Sequence, residues 1–227
     1  MPATLTLDDA MRRFDAAAGA AVDSGRRLLL GLTGAPGAGK STLAERLVAR
    51  ARQAHGADAA VVVPMDGFHL TNALLLERGT RDRKGAPDTF DDAGFAALLA
   101  RLREADHGEA AGPTVYAPRF DRERDESIGS AIPVPATCPV VVVEGNYLLA
   151  AGGAWPDAAR CLDEVWHLTL PEEARHERLT ARHVRHGMDP GAARDWALGP
   201  DEANAVLIAA SADRADVVVT LAVAVPT

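Results

Sequence analysis

A glycine-rich segment in the first quarter of the chain has the residue types that bind phosphate. Residues 34–41 read GAPGAGKS and match the pattern G-x-x-x-x-G-K-[ST]. Glycines let successive backbone N–H groups face a phosphate chain, Lys40 would reach the β- and γ-phosphates, and the Ser41 hydroxyl would bind Mg²⁺. The predicted nucleotide contacts are Gly34, Ala35, Pro36, Gly37, Ala38, Gly39, Lys40, Ser41 and Thr42. The segment therefore predicts a site for ATP and Mg²⁺.

Lysine is almost absent from the chain, which has 24 basic residues but lysine only at positions 40 and 84. Because arginine occupies the other basic positions, the compact ammonium group of Lys40 indicates a functional requirement. Lys84 is interpreted as an incidental residue. The scarcity also excludes the Asn-Lys-x-Asp pattern with which GTPases read guanine, and no apolar strand ends in the Asp-Glu pair of motor ATPases. A kinase is the class that these patterns favour.

Two carboxylates follow apolar runs that are typical of buried strands. Asp66 comes shortly after the run at 59–63, and Glu144 directly follows the run at 140–143. In an open α/β sheet, the carboxyl ends of the strands face the ligand crevice. We expect Asp66 to accept or orient the proton of an acceptor hydroxyl and Glu144 to order Mg²⁺ through water. The alternatives are that Asp66 caps a helix over 70–78 and that Glu144 pairs with an arginine.

A run of basic residues in the last third of the chain has helical spacing. Its arginines, Arg175, Arg178, Arg182 and Arg185, follow steps of three or four residues and therefore share one face. The spacing predicts a lid helix whose Arg178 and Arg182 neutralise charge on the transferring phosphoryl group and help to exclude water. The alternative is an exposed helix in which Glu172 and Glu177 pair with the arginines.

Four residues are candidates for contact with the acceptor: His69, Tyr116, Arg119 and Phe120. His69 could hydrogen-bond a hydroxyl, or it could pack in the structure. Aromatic residues make up only 4% of the chain, so the proximity of Tyr116 and Phe120 favours a pocket. Arg122 and Arg124 lie in a mixed charge run and are interpreted as solvated surface.

Apolar runs alternate with helical patterns along the chain. The predicted strands cover 28–33, 59–63, 140–143, 165–170 and 216–221, and the predicted helices cover 5–24, 40–54, 91–105, 172–186 and 201–212. This alternation predicts an α/β, three-layer P-loop fold with a mainly parallel, five-stranded sheet. We expect one domain over 1–227, with an N-terminal helical segment (1–24), an acceptor-site excursion (106–137) and a lid region (172–195).

Composition limits the partners of the chain. With 227 residues, 48% of them apolar and 25% charged, it has the composition of one globular domain. The net charge of −8 argues against nucleic acid as the main ligand. No apolar stretch reaches the roughly 18 residues that span a bilayer, and Asp8 and Asp9 are unlike a signal peptide. We expect a cytoplasmic protein with a small-molecule acceptor, and a homodimer is left open. Cys138 and Cys161 have no metal-binding or redox spacing.

Six segments together resemble the phosphoribulokinase/uridine kinase superfamily of P-loop kinases. They are residues 34–42, 63–70, 83–91, 116–122, 144–149 and 201–205, so the resemblance extends over almost the whole chain from about residue 25. Within the superfamily, the pattern is most similar to pantothenate kinase-like proteins and to proteins labelled fructose transport system kinases or nucleoside/nucleotide kinase family proteins. The resemblance implies transfer of the γ-phosphoryl group of ATP to a hydroxyl, with Asp66 in the place of the family's base.

The expected function is therefore that of an ATP-dependent kinase acting on a nucleoside, a sugar or a pantothenate-like metabolite. The acceptor-binding patterns of uridine kinases and pantothenate kinases are not reproduced, so the resemblance identifies no substrate. The alternative is a regulatory or catalytically idle ATP-binding protein with the same fold.

Overall fold

The computed structural model describes residues 2–104 and 112–221. Its strands are β1 Ala3–Thr6, β2 Leu28–Thr33, β3 Ala60–Pro64, β4 Val115–Asp121, β5 Glu126–Val134, β6 Val140–Glu144, β7 Glu164–Thr169 and β8 Val217–Thr220. Its helices are α1 Leu7–Ser24, α2 Lys40–His55, α3 Asn72–Glu77, α4 Asp92–Glu104, α5 Trp155–Arg160, α6 Glu172–Arg185, α7 Pro190–Leu198 and α8 Pro200–Ala209. None of the described helices has the length and apolar character needed to cross a membrane.

Six strands form one parallel sheet in the order β1-β8-β7-β2-β6-β3. β2 and β6 lie in its middle and are buried along their whole length, as expected for apolar strands with both faces covered. The predicted α/β architecture is confirmed. The predicted number of five strands is wrong, because residues 3–6 (ATLT) form an additional edge strand. The helix predicted from residue 5 begins at Leu7, since the Thr6 side chain accepts a hydrogen bond from the Asp9 N–H and caps it.

Helices cover both faces of this sheet and complete three layers. On one face, α1 and α2 pack through Phe14 and Leu47. On the other face, α4 and α5 pack through Phe95 and Trp155. All four side chains are almost completely buried. This packing holds the central strands, so the loops at their carboxyl ends start from fixed positions.

The carboxyl ends of β2, β6 and β3 lie side by side. Glu144, the last residue of β6, is opposite Leu32 on β2 and Pro64 on β3. The glycine-rich loop follows β2, and a 3₁₀ turn, Met65–Phe68, follows β3. The phosphate motif, Glu144 and Asp66 therefore meet at one edge of the sheet, as the sequence predicts.

An antiparallel hairpin of β4 and β5 lies over the 3₁₀ turn. The hairpin lies within the predicted excursion 106–137; residues 105–111 lie outside the described part of the chain. At the crossing point, a Cβ on Gly67 would lie only 2.5 Å from the Pro118 carbonyl oxygen. The absence of a side chain at Gly67 therefore lets the hairpin pack directly against the segment that carries Asp66.

The predicted lid region corresponds to α6 and most of α7. The first turn of α6 packs against the glycine-rich loop, where the Arg175 carbonyl oxygen lies 3.0 Å from the position of a Cβ on Gly37. α8 joins this unit through hydrogen bonds from Arg175 to Glu202 and between His183 and Asp201. The lid arginines are thus positioned beside the phosphate motif by a three-helix unit.

Candidate active site

The loop between β2 and α2 has a backbone conformation that favours glycine. Gly34, Gly37 and Gly39 have φ values of 147°, 81° and 95°, which L-residues with a Cβ rarely adopt. A Cβ on Gly34 would also lie 2.6 Å from the Leu168 carbonyl oxygen on β7. The loop can therefore turn tightly at the N-terminus of α2, where backbone N–H groups and the helix dipole favour an anion.

Lys40 is buried within this loop. Its Nζ donates hydrogen bonds to the carbonyl oxygens of Gly34 at 2.8 Å and Ala35 at 3.1 Å. Burial lowers the pKa of Lys40 to about 8, while the carboxylates of Glu144 and Asp66 act in the opposite direction. The ammonium group thus lies across the mouth of the loop and is predominantly protonated at neutral pH, as phosphate binding requires.

Glu144 is a buried acid next to the phosphate motif. Burial and then the negative charge of Asp66 raise its pKa to about 7, whereas Lys40 and the Ser41 hydroxyl lower it. The carboxylates of Glu144 and Asp66 and the Ser41 hydroxyl therefore lie close together. The negative charge of the two carboxylates is only partly balanced by Lys40. Such oxygen donors suit Mg²⁺, and a divalent cation would relieve the repulsion between Glu144 and Asp66. The predicted pair of Ser41 and Glu144 fits a magnesium ion.

Asp66 lies in the 3₁₀ turn after β3, with a side chain that is 33% exposed. The alternative role of helix cap does not apply, because α3 begins at Asn72 and is capped by the Thr71 hydroxyl. The Asp66 carboxylate instead lies 3.6 Å from the Nη2 atom of Arg122 on the hairpin. It therefore remains accessible at the crevice, beside a cation and next to Glu144.

The arginine stripe of α6 divides into two groups. Arg178, Arg182 and Arg185 line the cavity at the phosphate motif, and none of them forms an ion pair within residues 2–104 and 112–221. Arg175 is buried and pairs with Glu202 on α8, so the stripe is not neutralised by Glu172 and Glu177. The three arginines on the cavity remain available for a phosphate.

Among the lid arginines, Arg182 has a pKa that is shifted by charged groups of the site. Burial lowers its pKa, and the positive charge of Arg122 adds to that effect. The carboxylates that counteract this shift are Asp201, Asp66 and Glu144. Two guanidinium groups from the lid and the hairpin thus converge near the catalytic carboxylate candidate, which is an arrangement that favours a highly charged ligand.

The structure brings two of the four predicted acceptor contacts beside Asp66. His69 donates from Nδ1 to the Asp66 carbonyl oxygen at 2.8 Å, and its ring packs 4.0 Å from that of Phe90 and 4.8 Å from that of Phe120. Burial lowers the pKa of His69, which favours the neutral ring. Tyr116 and Arg119 are exposed on β4, and Tyr116 alternates with buried neighbours. His69 and Phe120 therefore share one cluster, which Tyr116 and Arg119 do not join.

Three residues at the site have roles that the sequence did not indicate. Arg122, interpreted above as solvated surface, lies beside Asp66 and lines the cavity. Asp201 is buried and lies 2.7 Å from His183 Nε2. Lys84, interpreted as incidental, is a buried clamp that donates to the Asn72 side chain at 2.8 Å and the Asp125 carbonyl oxygen at 2.6 Å. It thereby ties the hairpin turn to α3.

The phosphate motif opens into a cavity of about 1240 Å³. Its lining includes the start of α2 with Lys40, the arginines of α6 and Arg122 of the hairpin. Residues 4–8, Thr220 and Leu221 also line it. The cavity thus joins the phosphate loop, the lid and the N-terminal strand in one continuous space.

Comparisons with known proteins find related P-loop proteins. The sequence signature of the family described as "Methylmalonyl Co-A mutase-associated GTPase MeaB" matches residues 15–70. The matched stretch runs from α1 to the 3₁₀ turn after β3 and contains the whole phosphate loop. GTPases and kinases use the same loop for phosphates, and the match leaves out the β4–β5 hairpin and the lid helix α6, so it does not by itself distinguish the two classes.

Longer matches are found among kinase-like proteins. The "ATP-dependent kinase-like protein notR'" of Aspergillus versicolor is 37% identical over 62% of this chain and 84% of its own length. The "Putative uridine kinase C227.14" of Schizosaccharomyces pombe is 31% identical over 72% of this chain and 69% of its own. The crystal structure of a "putative fructose transport system kinase" from Silicibacter sp. TM1040 has a TM-score of 0.77 at 40% identity, covering 90% of this chain and 98% of that one.

Proposed function

Because the chain belongs to the phosphoribulokinase/uridine kinase superfamily of P-loop kinases, we propose that it transfers the γ-phosphoryl group of ATP to a hydroxyl of a small metabolite. The proposed acceptor is a nucleoside, a sugar or a pantothenate-like alcohol. The observation that carries the proposal is the position of Asp66, which lies at the crevice beside the phosphate loop and 3.6 Å from Arg122. A kinase uses a carboxylate in this position to accept or orient the proton of the acceptor hydroxyl.

In the proposed reaction, the acceptor oxygen attacks the γ-phosphorus as the bond from that phosphorus to the β–γ bridging oxygen breaks. The products are the phosphorylated acceptor and ADP, and the hydroxyl proton passes to Asp66 or is oriented by it. Lys40 and the loop N–H groups hold the phosphates, while Arg178 and Arg182 neutralise charge on the transferring group. Mg²⁺, held by Ser41 and by Glu144 through water, would screen the phosphate charge.

A screen of acceptors tests the proposal. Purified protein with Mg²⁺ and ATP should release ADP only when the correct nucleoside, sugar, pantothenate or related vitamin is added, and mass spectrometry should find the phosphorylated product. Saturable binding of Mg·ATP without acceptor-dependent ADP release from any of these classes would instead support the regulatory alternative. Failure to bind Mg·ATP at all would contradict both functions.

A further inference from the structure

Cationic side chains dominate the lining of the cavity at the phosphate motif. Asp8 is the single carboxylate among the described residues that line it, whereas six lining residues are lysine or arginine. These six are Lys40, Arg46, Arg122, Arg178, Arg182 and Arg185. Asp66 and Glu144 add negative charge nearby, and Mg²⁺ would offset part of the charge of ATP. Bound Mg·ATP would therefore leave positive charge in the cavity without a partner.

Part of this positive charge lies away from the phosphate loop. The Nη1 atom of Arg178 lies 4.0 Å from the position of a Cβ on Gly39, so Arg178 is beside the loop. Arg185 follows Arg178 by seven residues on α6, which is about 10 Å along the helix axis. Arg122 reaches the cavity from the hairpin, where it lies 3.6 Å from the Asp66 carboxylate. Arg122 and Arg185 therefore belong to the acceptor side of the cavity.

Three guanidinium groups gather at the C-terminal end of α6. Slight burial and then the positive charges of Arg122, Arg182 and Arg185 lower the pKa of His186, the residue that follows the helix. The hairpin arginine and two lid arginines thus act on one point. Within residues 2–104 and 112–221, Arg182 and Arg185 form no ion pair. Because like charges that are gathered in this way repel one another, the cluster suits an anionic group between them.

We propose that the acceptor is itself an anion, an alcohol that carries a carboxylate or a phosphate group, and that Arg185 binds this group within the cluster of Arg122, Arg182 and Arg185. The inference rests on the proposed function and narrows it, because neutral nucleosides and neutral sugars would be poor acceptors. A guanidinium group presents paired N–H donors that match two oxygens of a carboxylate or phosphate. Arg185 therefore determines which acceptor binds, whereas Asp66 acts on the transfer.

Pairs of alcohols that differ in one charged group test the proposal. The purified chain is assayed for ADP release from Mg·ATP with pantothenate or pantothenol, gluconate or glucose, and ribose 5-phosphate or ribose. In a pair that is turned over, the anionic member should have a kcat/KM at least about tenfold higher. The carboxylate pairs and the phosphate pair show which of the two groups the site accepts. A neutral member with a kcat/KM equal to or above that of its anionic partner would overturn the proposal.

Variants of Arg185 test the residue itself. With the anionic acceptor, Arg185→Gln should raise KM about tenfold and leave kcat within about twofold, because a contact that persists through the reaction contributes to binding alone. Arg185→Lys keeps the charge and should recover part of the loss. Arg194→Gln, which alters an exposed arginine of α7 outside the cavity lining, is the control. Equal KM values of Arg185→Gln and Arg194→Gln, or a loss confined to kcat, would contradict the role of Arg185.

Inorganic phosphate gives a test that does not depend on finding the acceptor. The non-hydrolysable analogue Mg·AMP-PNP occupies the phosphate loop, and calorimetry at constant ionic strength then measures the binding of added phosphate. We expect saturable binding that Arg185→Gln weakens at least about fivefold and Arg194→Gln leaves unchanged. No saturable binding, or equal binding by the unmodified chain and Arg185→Gln, would overturn the anion site. Thermal unfolding of the variants shows whether an effect comes from loss of the fold.

The two proposals fail in different ways. If the chain does not bind Mg·AMP-PNP, or if no alcohol causes release of ADP, the proposed function is wrong. If a neutral alcohol is phosphorylated as well as its anionic partner, the proposed function stands and only the anionic acceptor is wrong. Phosphate bound through Arg185 in a chain that transfers to no alcohol would identify a regulatory anion site, and the acceptor role of Arg185 would then be wrong.

Discussion

The two sides of the crevice are built in different ways. The phosphate side comes from one continuous segment, residues 34–42, in which glycine backbone and the buried Lys40 form the site. The acceptor side is assembled from single side chains on separate elements: Asp66 after β3, Arg122 on the hairpin and Arg182 on the lid. The comparison teaches that binding of phosphate depends on local conformation, whereas transfer depends on how the hairpin and lid are placed.

Asp66→Asn should give the largest difference between the effect on phosphoryl transfer, which depends on the acceptor side, and the effect on ATP binding, which depends on the phosphate side. Loss of the carboxylate should lower kcat with the identified acceptor by about 10²–10⁴-fold, which is the usual contribution of a general base. The dissociation constant for Mg·ATP should change far less, because the phosphate loop is intact. Steady-state kinetics and calorimetry measure the two quantities. Asp88→Asn, which alters an exposed carboxylate paired with Arg83, is the control. If the Asp66→Asn variant retains turnover, Asp66 does not act in the mechanism.

Gly67→Ala should damage the acceptor side through packing alone. The new Cβ would lie 2.5 Å from the Pro118 carbonyl oxygen, so the hairpin or the turn carrying Asp66 must move. A displacement of about 1 Å can cost about 10²-fold in rate. We expect that loss in kcat/KM with little change in binding of Mg·ATP. Gly129→Ala in the same hairpin has no heavy atom within 4 Å of the added carbon, and an equal loss in that variant would refute the packing argument.

Arg122→Gln tests whether the hairpin contributes charge to the transfer. Removal of the cation near Asp66 and Arg182 should lower kcat by about tenfold, which is less than the roughly 10²–10³-fold of a buried transition-state donor because Arg122 is half-exposed. Stability should change by less than about 1 kcal/mol, because the pair with Asp66 is half-exposed. Arg124→Gln, in the same turn and exposed, is the control. If the two variants have equal kinetics, Arg122 is an ordinary solvated surface residue with no role in the transfer.

Glu144 should give the smallest effect, a pH dependence of stability in the absence of Mg²⁺. Its pKa rises from an ordinary 4.5 to about 7 on folding, so the folded state binds more protons between these values. The free energy of unfolding should therefore fall as pH rises from 4.5 to 7 and then level off, by about 1–3 kcal/mol. Glu144→Gln should remove this decline, as measured by urea unfolding at several pH values. The variant Glu123→Gln, at an exposed position, is the control. If the pH dependence of the free energy of unfolding is unchanged in Glu144→Gln, the pKa of Glu144 is not raised on folding.

The part of the site that could be predicted from the sequence is the part fixed by neighbouring residues. The phosphate motif is continuous, and Asp66 and Glu144 lie at or shortly after the ends of apolar strands that must meet in a parallel sheet. The five predicted strands and the main helices were recognisable for the same reason, because their apolar patterns are long. The helical spacing of the lid arginines predicts that they share one face. It does not predict that Arg175 differs from the other three arginines, because that difference depends on its pairing with Glu202, which is distant in sequence.

The remaining features depend on contacts that no local pattern carries. A register shift between Ala117 and Arg119 breaks the alternation of β4, so the faces of the hairpin cannot be counted from the sequence. Lys84 is a clamp only because the fold brings Asn72 and Asp125 to it. β1 has four residues and one neighbour, and it is recognisable as a strand only once β8 is beside it.

The contact between Gly37 and the first turn of α6 limits the ways in which the lid helix can rotate. Because the Arg175 carbonyl oxygen abuts the loop and α6 is bonded to α8 at both Arg175 and His183, a rotation of the three-helix unit that kept the loop contact would pivot near that turn. With a rise of about 1.5 Å per residue, Arg178 lies about 4.5 Å and Arg182 about 10 Å along the axis from the pivot. In such a rotation Arg182 would move roughly twice as far as Arg178. The guanidinium group of Arg178 would then stay near the loop, while that of Arg182 would move across the cavity.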